Sequence, residues 1–190
     1  YWPAFLMAAE LPLPKRIFAH GWWTNEGGKI SKSDGNIIDP LEIINNYGLD
    51  QIRYFLLREV SFGSDGDFSK SALLTRINGD LSNDLGNLCQ RVISMIYKNC
   101  NGKIPNKCQN YSVEDKVFIE EFQNLFSKVK VEINKQSFHQ ALKLIWQVIS
   151  SANKFVDEQA PWKLKNTNLD RMNDVLWILS ESIRTISILI

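Results

Sequence analysis

Gly27-Gly28-Lys29-Ile30-Ser31-Lys32-Ser33-Asp34-Gly35-Asn36-Ile37-Ile38-Asp39-Pro40-Leu41-Glu42 is where the chain changes character. The first half is a string of lysines and serines flanked by glycines, which has no apolar face and reads as a loop. The second half opens a helix. Asp39 is an acidic N-cap, Pro40 takes the first helical position and Glu42 the third, the arrangement of a capping box. Strand and turn signals lie before this stretch and helical ones after it.

Residues 1 to about 35 are punctuated by glycine and proline. The short apolar run Arg16-Ile17-Phe18-Ala19-His20, bounded by Pro14 and Gly21, predicts a single buried strand. Trp22-Trp23-Thr24 followed by Asn25-Glu26-Gly27-Gly28 predicts a hairpin or a strand-to-loop exit. Downstream, Gly48 is placed to end the first short helix and Asp50 to cap the next, which bears Ile52, Phe55 and Leu56. The loop Ser61-Phe62-Gly63-Ser64-Asp65-Gly66-Asp67 marks a domain boundary near Phe68. From Ser69 to Asn99 runs a long helical pattern with Leu81, Leu85, Leu88, Val92, Met95 and Ile96 as its stripe. Three more helices are expected. One opens at Ser112 and Asp115 and carries Val117, Phe118, Phe122, Leu125, Phe126 and Val129. A second opens at Ser137 and ends before Pro161, and a third opens at Leu169. Four amphipathic helices joined by short breaks make a bundle. The expected fold is mainly α, with residues 1–67 as one unit and the bundle, 68–190, as the other.

The bulk numbers narrow the function. With 190 residues, 44% of them apolar and 23% charged, the composition is that of an ordinary globular protein. A net charge of +1 means that any contact with nucleic acid comes from a local arrangement and not from a basic coat. No apolar run is long enough to span a bilayer, so no membrane partner is expected. Cys89, Cys100 and Cys108 form no CxxC pair and have no histidine neighbours, so no metal site is expected. They read as free thiols of a reducing compartment, which favours the cytoplasm. The aromatic-apolar opening Tyr1-Trp2-Pro3-Ala4-Phe5-Leu6-Met7 and the apolar close at Ile190 give the expectation that the chain is a segment of a longer protein.

The Lys29–Ser33 stretch has the parts of a phosphate-binding loop. Lysines bring mobile charges to phosphate oxygens, serines bring hydroxyl and backbone donors, and glycines let the backbone approach a ligand. A solvated surface turn has the same composition, and spacing alone leaves both readings open. The wider order does more: a strand ending in His20-Gly21, a glycine turn, Lys29-Ile30-Ser31-Lys32-Ser33 and the Asp39-Pro40 helix start. It resembles class I aminoacyl-tRNA synthetases, whose signature here is the KMSKS loop, with Ile30 in place of methionine. Further stretches are most similar to the methionyl-tRNA synthetase family. These are Trp2-Pro3-Ala4-Phe5-Leu6, His20-Gly21-Trp22, Asp50-Gln51-Ile52-Arg53-Tyr54-Phe55-Leu56 and Asp80-Leu81-Ser82-Asn83-Asp84-Leu85-Gly86-Asn87-Leu88.

The resemblance implies that 1–67 is the C-terminal edge of a Rossmann-type catalytic domain, with its last strand and loop. It implies an ATP-dependent ligation of methionine to tRNA, with Mg2+ accompanying ATP. Lys32 and Lys29 would be catalytic, with Lys32 stabilising the triphosphate as the α-phosphorus is attacked. Ser31, Ser33, His20 and Gly21 would line the ATP site, although a histidine at a strand end is also commonly satisfied locally. The family's other nucleotide motif and most of its methionine pocket would lie upstream of Tyr1, so these 190 residues alone are expected to form no adenylate.

On the long helix, Asp80, Asn83, Asn87, Arg91 and Lys98 fall on one stripe, roughly 100° round from the leucines at 3.6 residues per turn. Asparagine offers donor and acceptor together, and arginine a planar fork, which suits the edges of splayed bases. A solvated helix flank has the same pattern. The methionyl family resemblance implies that Asn87 and Arg91, in Asn87-Leu88-Cys89-Gln90-Arg91, contact the tRNA anticodon. It implies the same for Pro161 and Trp162 of Ala160-Pro161-Trp162, with the indole stacking on a base. Trp146 and Trp177 read instead as core. Two other functions remain open on the residues: another class I synthetase, and a non-catalytic RNA-binding helical module.

Overall fold

The computed structural model describes residues 1–31, 36–107 and 110–190. Lys32, Ser33 and Cys108, singled out above, lie outside the described residues. The chain is mainly helical with one small sheet. The sheet is the predicted hairpin plus one strand. β1 (Trp23–Asn25) pairs antiparallel with β2 (Gly28–Lys29), Thr24 opposite Lys29 and Asn25 opposite Gly28. Glu26 and Gly27 fill the turn with φ of 49° and 75°, the left-handed pair that a two-residue hairpin turn demands. β3 (Gly66–Phe68) lies parallel to β1 on its other edge.

The expected buried strand at Arg16–His20 does not form. Its backbone joins no strand among the described residues, and Ile17 is 60% exposed. A buried strand needs a ladder on which to spend its N–H and C=O groups, and an apolar run cannot supply one itself. Ahead of it, Trp2–Ala8 form a short exposed helix, α1.

α2 (Pro40–Tyr47) starts at the expected place, with Asp39 as its N-cap and Glu42 in the first turn. Asp39 accepts the Leu41 N–H at 2.9 Å, a single cap bond in place of the reciprocal pair of a capping box. α3 (Leu49–Arg58) differs in its cap. Gly48, at φ 93°, occupies the cap position itself, which puts Asp50 inside the first turn, where its charge still suits the helix dipole. Leu56 is exposed, while Ile52 and Phe55 are buried with Phe68 and Leu73 in a first hydrophobic cluster.

The long helix exists but is not uniform. α4 (Lys70–Thr75), capped by the Ser69 hydroxyl, widens into a π-helical stretch over Arg76–Gly86 and tightens again as α5 (Asn87–Asn99). Within the wide stretch, the carbonyls of Asp80 and Asp84 accept Trp146 Nε1 at 3.2 Å and Asn153 Nδ2 at 3.0 Å. Such insertions into the ladder are a recognised cause of local unwinding. Leu88, Val92 and Ile96 are buried as expected, but Leu81 and Leu85 are only half so. Asp80 leaves the expected outer stripe altogether. Its carboxylate accepts the Tyr54 hydroxyl at 2.6 Å and Arg76 at 3.3 Å, with Arg58 at 3.7 Å.

The bundle is completed by α6 (Val113–Gln123), α7 (Leu125–Asn134), α8 (Phe138–Gln159), α9 (Pro161–Thr167) and α10 (Leu169–Leu189). The single helix expected after Ser112 is two, broken at Asn124. The break turns Phe118, Phe122, Leu125 and Val129 to the core and leaves Val117 and Phe126 exposed. The capping box of Ser112 and Asp115 forms with both bonds present. A second, larger cluster joins α5, α6, α7, α8 and α10 and includes Tyr54 of α3. Trp146 belongs to it, and Trp177 packs against it. No helix of the described residues is long and apolar enough to cross a membrane.

Candidate functional site

Two separate places carry the residues with chemistry. The first is the β1–β2 hairpin and the arm that leaves it. Lys29 is exposed at the end of β2, and Ser31 pairs with Asn36 in an isolated antiparallel bridge, with Ser31 N–H donating to the Asn36 carbonyl at 3.2 Å. Lys32 to Gly35 lie between these two residues in sequence. The hairpin is fastened on several sides. Asp67 accepts the Thr24 hydroxyl and, at 2.8 Å, the Gly27 N–H. Those bonds, the Thr24 hydroxyl first, hold its carboxyl below the ordinary carboxylate range. Glu26 accepts the Lys70 N–H at 3.0 Å, which ties the turn to the start of α4. The side chains of Asn25 and Asn36 are joined at 2.6 Å.

His20 and Gly21 are held by different partners. His20 is exposed, its Nδ1 lies 2.7 Å from the Gly21 carbonyl, and its ring sits beside Phe62. Gly21 has a structural reason to be glycine: a Cβ there would lie 2.2 Å from the backbone of Ser64. The Ser61–Asp65 loop closes over it, with Trp22 N–H donating to Asp65 at 2.8 Å. Asn25, Asn36, Asp67 and Glu26 did not stand out in the sequence. Each acts through a partner far along the chain, and only Asn25–Gly28 had a turn signal.

The second place is the meeting of α5 with the α8–α9 corner. Ala160 takes the left-handed conformation, φ 41° and ψ 59°, which ends α8 and restarts the chain at Pro161. Pro161 is buried and sets the exit, and Trp162 follows it 45% exposed. The Arg91 guanidinium lies over the Trp162 ring, 5.7 Å from its centroid, and forms an ion pair with Asp157. Arg91 and Trp162 are thus brought together from positions far apart in sequence, with Asn87 exposed one turn earlier on α5. The indole keeps an open area, and a cation with its own paired carboxylate stands over the ring, which suits an aromatic base with polar edges. Asp157 gave no sequence signal; it is one charge among many on α8. Among the described residues no group of three or more His, Cys, Asp and Glu could hold a metal ion.

Comparison with known proteins covers the chain from end to end. The family described as tRNA synthetases class I (M) matches residues 1–93. The chain is 50% identical to a protein of Rickettsia felis named methionine–tRNA ligase and 48% identical to one of the same name from Brucella suis. Both alignments span this whole chain and 38% and 37% of those proteins. Among solved structures, Mycobacterium tuberculosis methionyl-tRNA synthetase in complex with methionyl-adenylate superposes with a TM-score of 0.92 at 44% identity. It too is covered for 38% of its length, so the chain spans under two fifths of the relatives it matches.

Proposed function

The chain belongs to the class I tRNA synthetases of the methionyl group, and on that premise we propose that it serves the ATP-dependent attachment of methionine to tRNA. It supplies one wall of the ATP site and the surface that reads the anticodon. The observation that carries this is the match in sequence and fold together over every part of the chain.

In the proposed reaction a methionine carboxylate oxygen bonds to the α-phosphorus of ATP, and the bond to the bridging oxygen of pyrophosphate breaks. Lys29 and Lys32, with the Ser31 and Ser33 donors, face the growing negative charge on the phosphates, and Mg2+ enters with the triphosphate as part of the substrate. His20 and Gly21 complete the nucleotide side. The unit 1–67 is the C-terminal edge of a Rossmann-type catalytic domain, and 68–190 is the anticodon-binding bundle. The two share packing: Phe68 and Leu73 root the start of the long helix in the cluster of Ile52 and Phe55. In the bundle, Trp162 stacks on an anticodon base, Asn87 and Arg91 read base edges, and Pro161 sets the angle of the indole. The setting is cytoplasmic, where ATP and tRNA are at hand.

The test is amino-acid-dependent exchange of pyrophosphate into ATP by the full-length protein that carries this chain. Exchange driven by methionine, and slowed by Lys32→Ala through the rate constant more than through methionine affinity, is the expected result. Exchange driven by cysteine, isoleucine or valine, or none with any amino acid, overturns the reading.

A further inference from the structure

Resting on the reading of Lys29 and Ser31 as part of the ATP loop, we propose that Asn36 is a positioning residue for that chemistry. Its side-chain amide and main chain set where the arm from Lys29 to Ser31 stands. The amide is used on both sides. Asn36 Nδ2 donates to the carbonyl of Asn25 at 3.2 Å and to that of Lys29 at 3.1 Å. Asn36 Oδ1 accepts the Asn25 side-chain amide at 2.6 Å. The main chain of the same residue accepts the Ser31 N–H at 3.2 Å. One residue therefore grips both strands of the hairpin and the arm that leaves it.

The hairpin needs this help. β2 is two residues long and lies at the edge of the sheet, paired with β1 alone, so few ladder bonds hold it in place. Asp67 and Glu26 fix the turn and β1, but neither touches Lys29. Asn36 alone among these side chains bonds the Lys29 backbone, and does so at the residue whose ammonium group is to meet phosphate.

The residue type follows from the bonding. The position requires two donors and an acceptor on one short arm, which the asparagine amide provides. Aspartate would turn an oxygen onto two carbonyl oxygens. Glutamine would have to find room for one more methylene where the fit is already close: a Cβ on Gly28 would come within 2.9 Å of Asn36 Nδ2. Because catalysis of phosphoryl-group chemistry rests on placement, a shift of about 1 Å in a charged group costs up to about 100-fold in rate.

The test uses the full-length enzyme with Asn36→Asp, Asn36→Ala, Lys29→Ala and the double variant Lys29→Ala/Asn36→Ala, read by methionine-dependent pyrophosphate exchange and by thermal melting. Asn36→Asp and Asn36→Ala are expected to lower kcat/KM for ATP by about 10- to 100-fold, leaving KM for methionine and the main melting transition near wild type. In the Lys29→Ala background the Asn36→Ala loss is expected to shrink to a small factor, since a residue acting through Lys29 has nothing left to place. Asn25→Ala, a milder change that removes one donor and keeps both backbone acceptors, should give a smaller loss of the same kind. Wild-type kinetics in both Asn36 variants overturn the proposal. So does an equal loss with and without Lys29, or a loss shared by methionine KM and melting, either of which marks a general structural role. If the wild-type enzyme shows no exchange, or Lys29→Ala and Lys32→Ala leave exchange unchanged, the ATP-loop reading itself has failed and the Asn36 proposal falls with it.

Discussion

Replacing Asp115 tests the packing that holds the Trp162 corner. Its side chain is fully buried and ties two helices together, α6 and α10. It accepts Arg171 through two bonds, 2.6 and 2.8 Å, and the Ser112 N–H at 3.0 Å as half of the α6 capping box. Arg171, at the start of α10, also donates to Gln159 at 2.6 Å, directly before the Ala160-Pro161-Trp162 turn. Asp115→Ala leaves a largely buried guanidinium without its counter-charge, which costs about 3–5 kcal/mol, and loss of the cap adds about 1 kcal/mol. At roughly 2–4 °C per kcal/mol for a chain of this size, melting should fall by about 10 °C or more. Asp115→Asn keeps an acceptor for Ser112 and loses the charge, so it should fall less. The pH dependence has a definite sign. Burial alone would raise the Asp115 carboxyl, but the Arg171 bonds and the Ser112 N–H together bring it below the ordinary range. Its stabilisation is therefore complete above the unfolded value of about 3.9 and is lost as pH falls through the lower folded value. Urea unfolding of wild type and Asp115→Asn from pH 7 down to pH 2 reads this directly. A change under about 1 kcal/mol in Asp115→Ala, or the same acid loss in Asp115→Asn as in wild type, would refute the reasoning.

Three further outcomes follow from the geometry. Gly21→Ala drives a Cβ into the Ser64 backbone, which cannot swing away as a side chain would; it should cost about 1–3 kcal/mol in urea unfolding. Tyr54→Phe removes the 2.6 Å bond to Asp80 and should cost about 1–3 kcal/mol; burial, then the Asp80 bond, raise the Tyr54 phenol well above its ordinary range, so spectroscopic titration should find one tyrosine that does not ionise at pH 11. Trp146→Ala, at a site 6% exposed, should cost about 3–5 kcal/mol, whereas Trp162→Ala should shift melting far less; equal losses would make Trp162 a core residue.

What could be read in the sequence was what is decided locally. The Asp39-Pro40 start, the Ser112–Asp115 box, the Asn25–Gly28 turn and the stop before Pro161 depend on neighbours within a few positions, and all four stand in the structure. The misreadings share the opposite property. The 16–20 run lacked a strand to pair with, a fact that no local pattern contains. Counting 3.6 residues per turn puts Asp80 on an outer stripe, but the stretch it belongs to is π-helical and turns it elsewhere. Leu125 and Phe126 continued an apolar pattern that hid the break at Asn124. For the candidate sites, residue types were legible and the bonds that hold them were not. The family resemblance joins Arg91 and Trp162 in one anticodon surface, but Asp157 beside Arg91 and Asn36 behind Lys29 are visible only once helices and strands are placed. Lys32 and Ser33 rest on the sequence pattern and the family.

The proposed function gives one chain two separable sites, one for ATP and one for the anticodon. Its most direct test is the ratio of two specificity constants in full-length Trp162→Ala: kcat/KM for tRNA in methionine charging and kcat/KM for ATP in pyrophosphate exchange. A stacking loss of about 1–3 kcal/mol predicts charging down by roughly 5- to 150-fold, with exchange unchanged. Charging and exchange falling together, or charging that does not fall, would contradict the account.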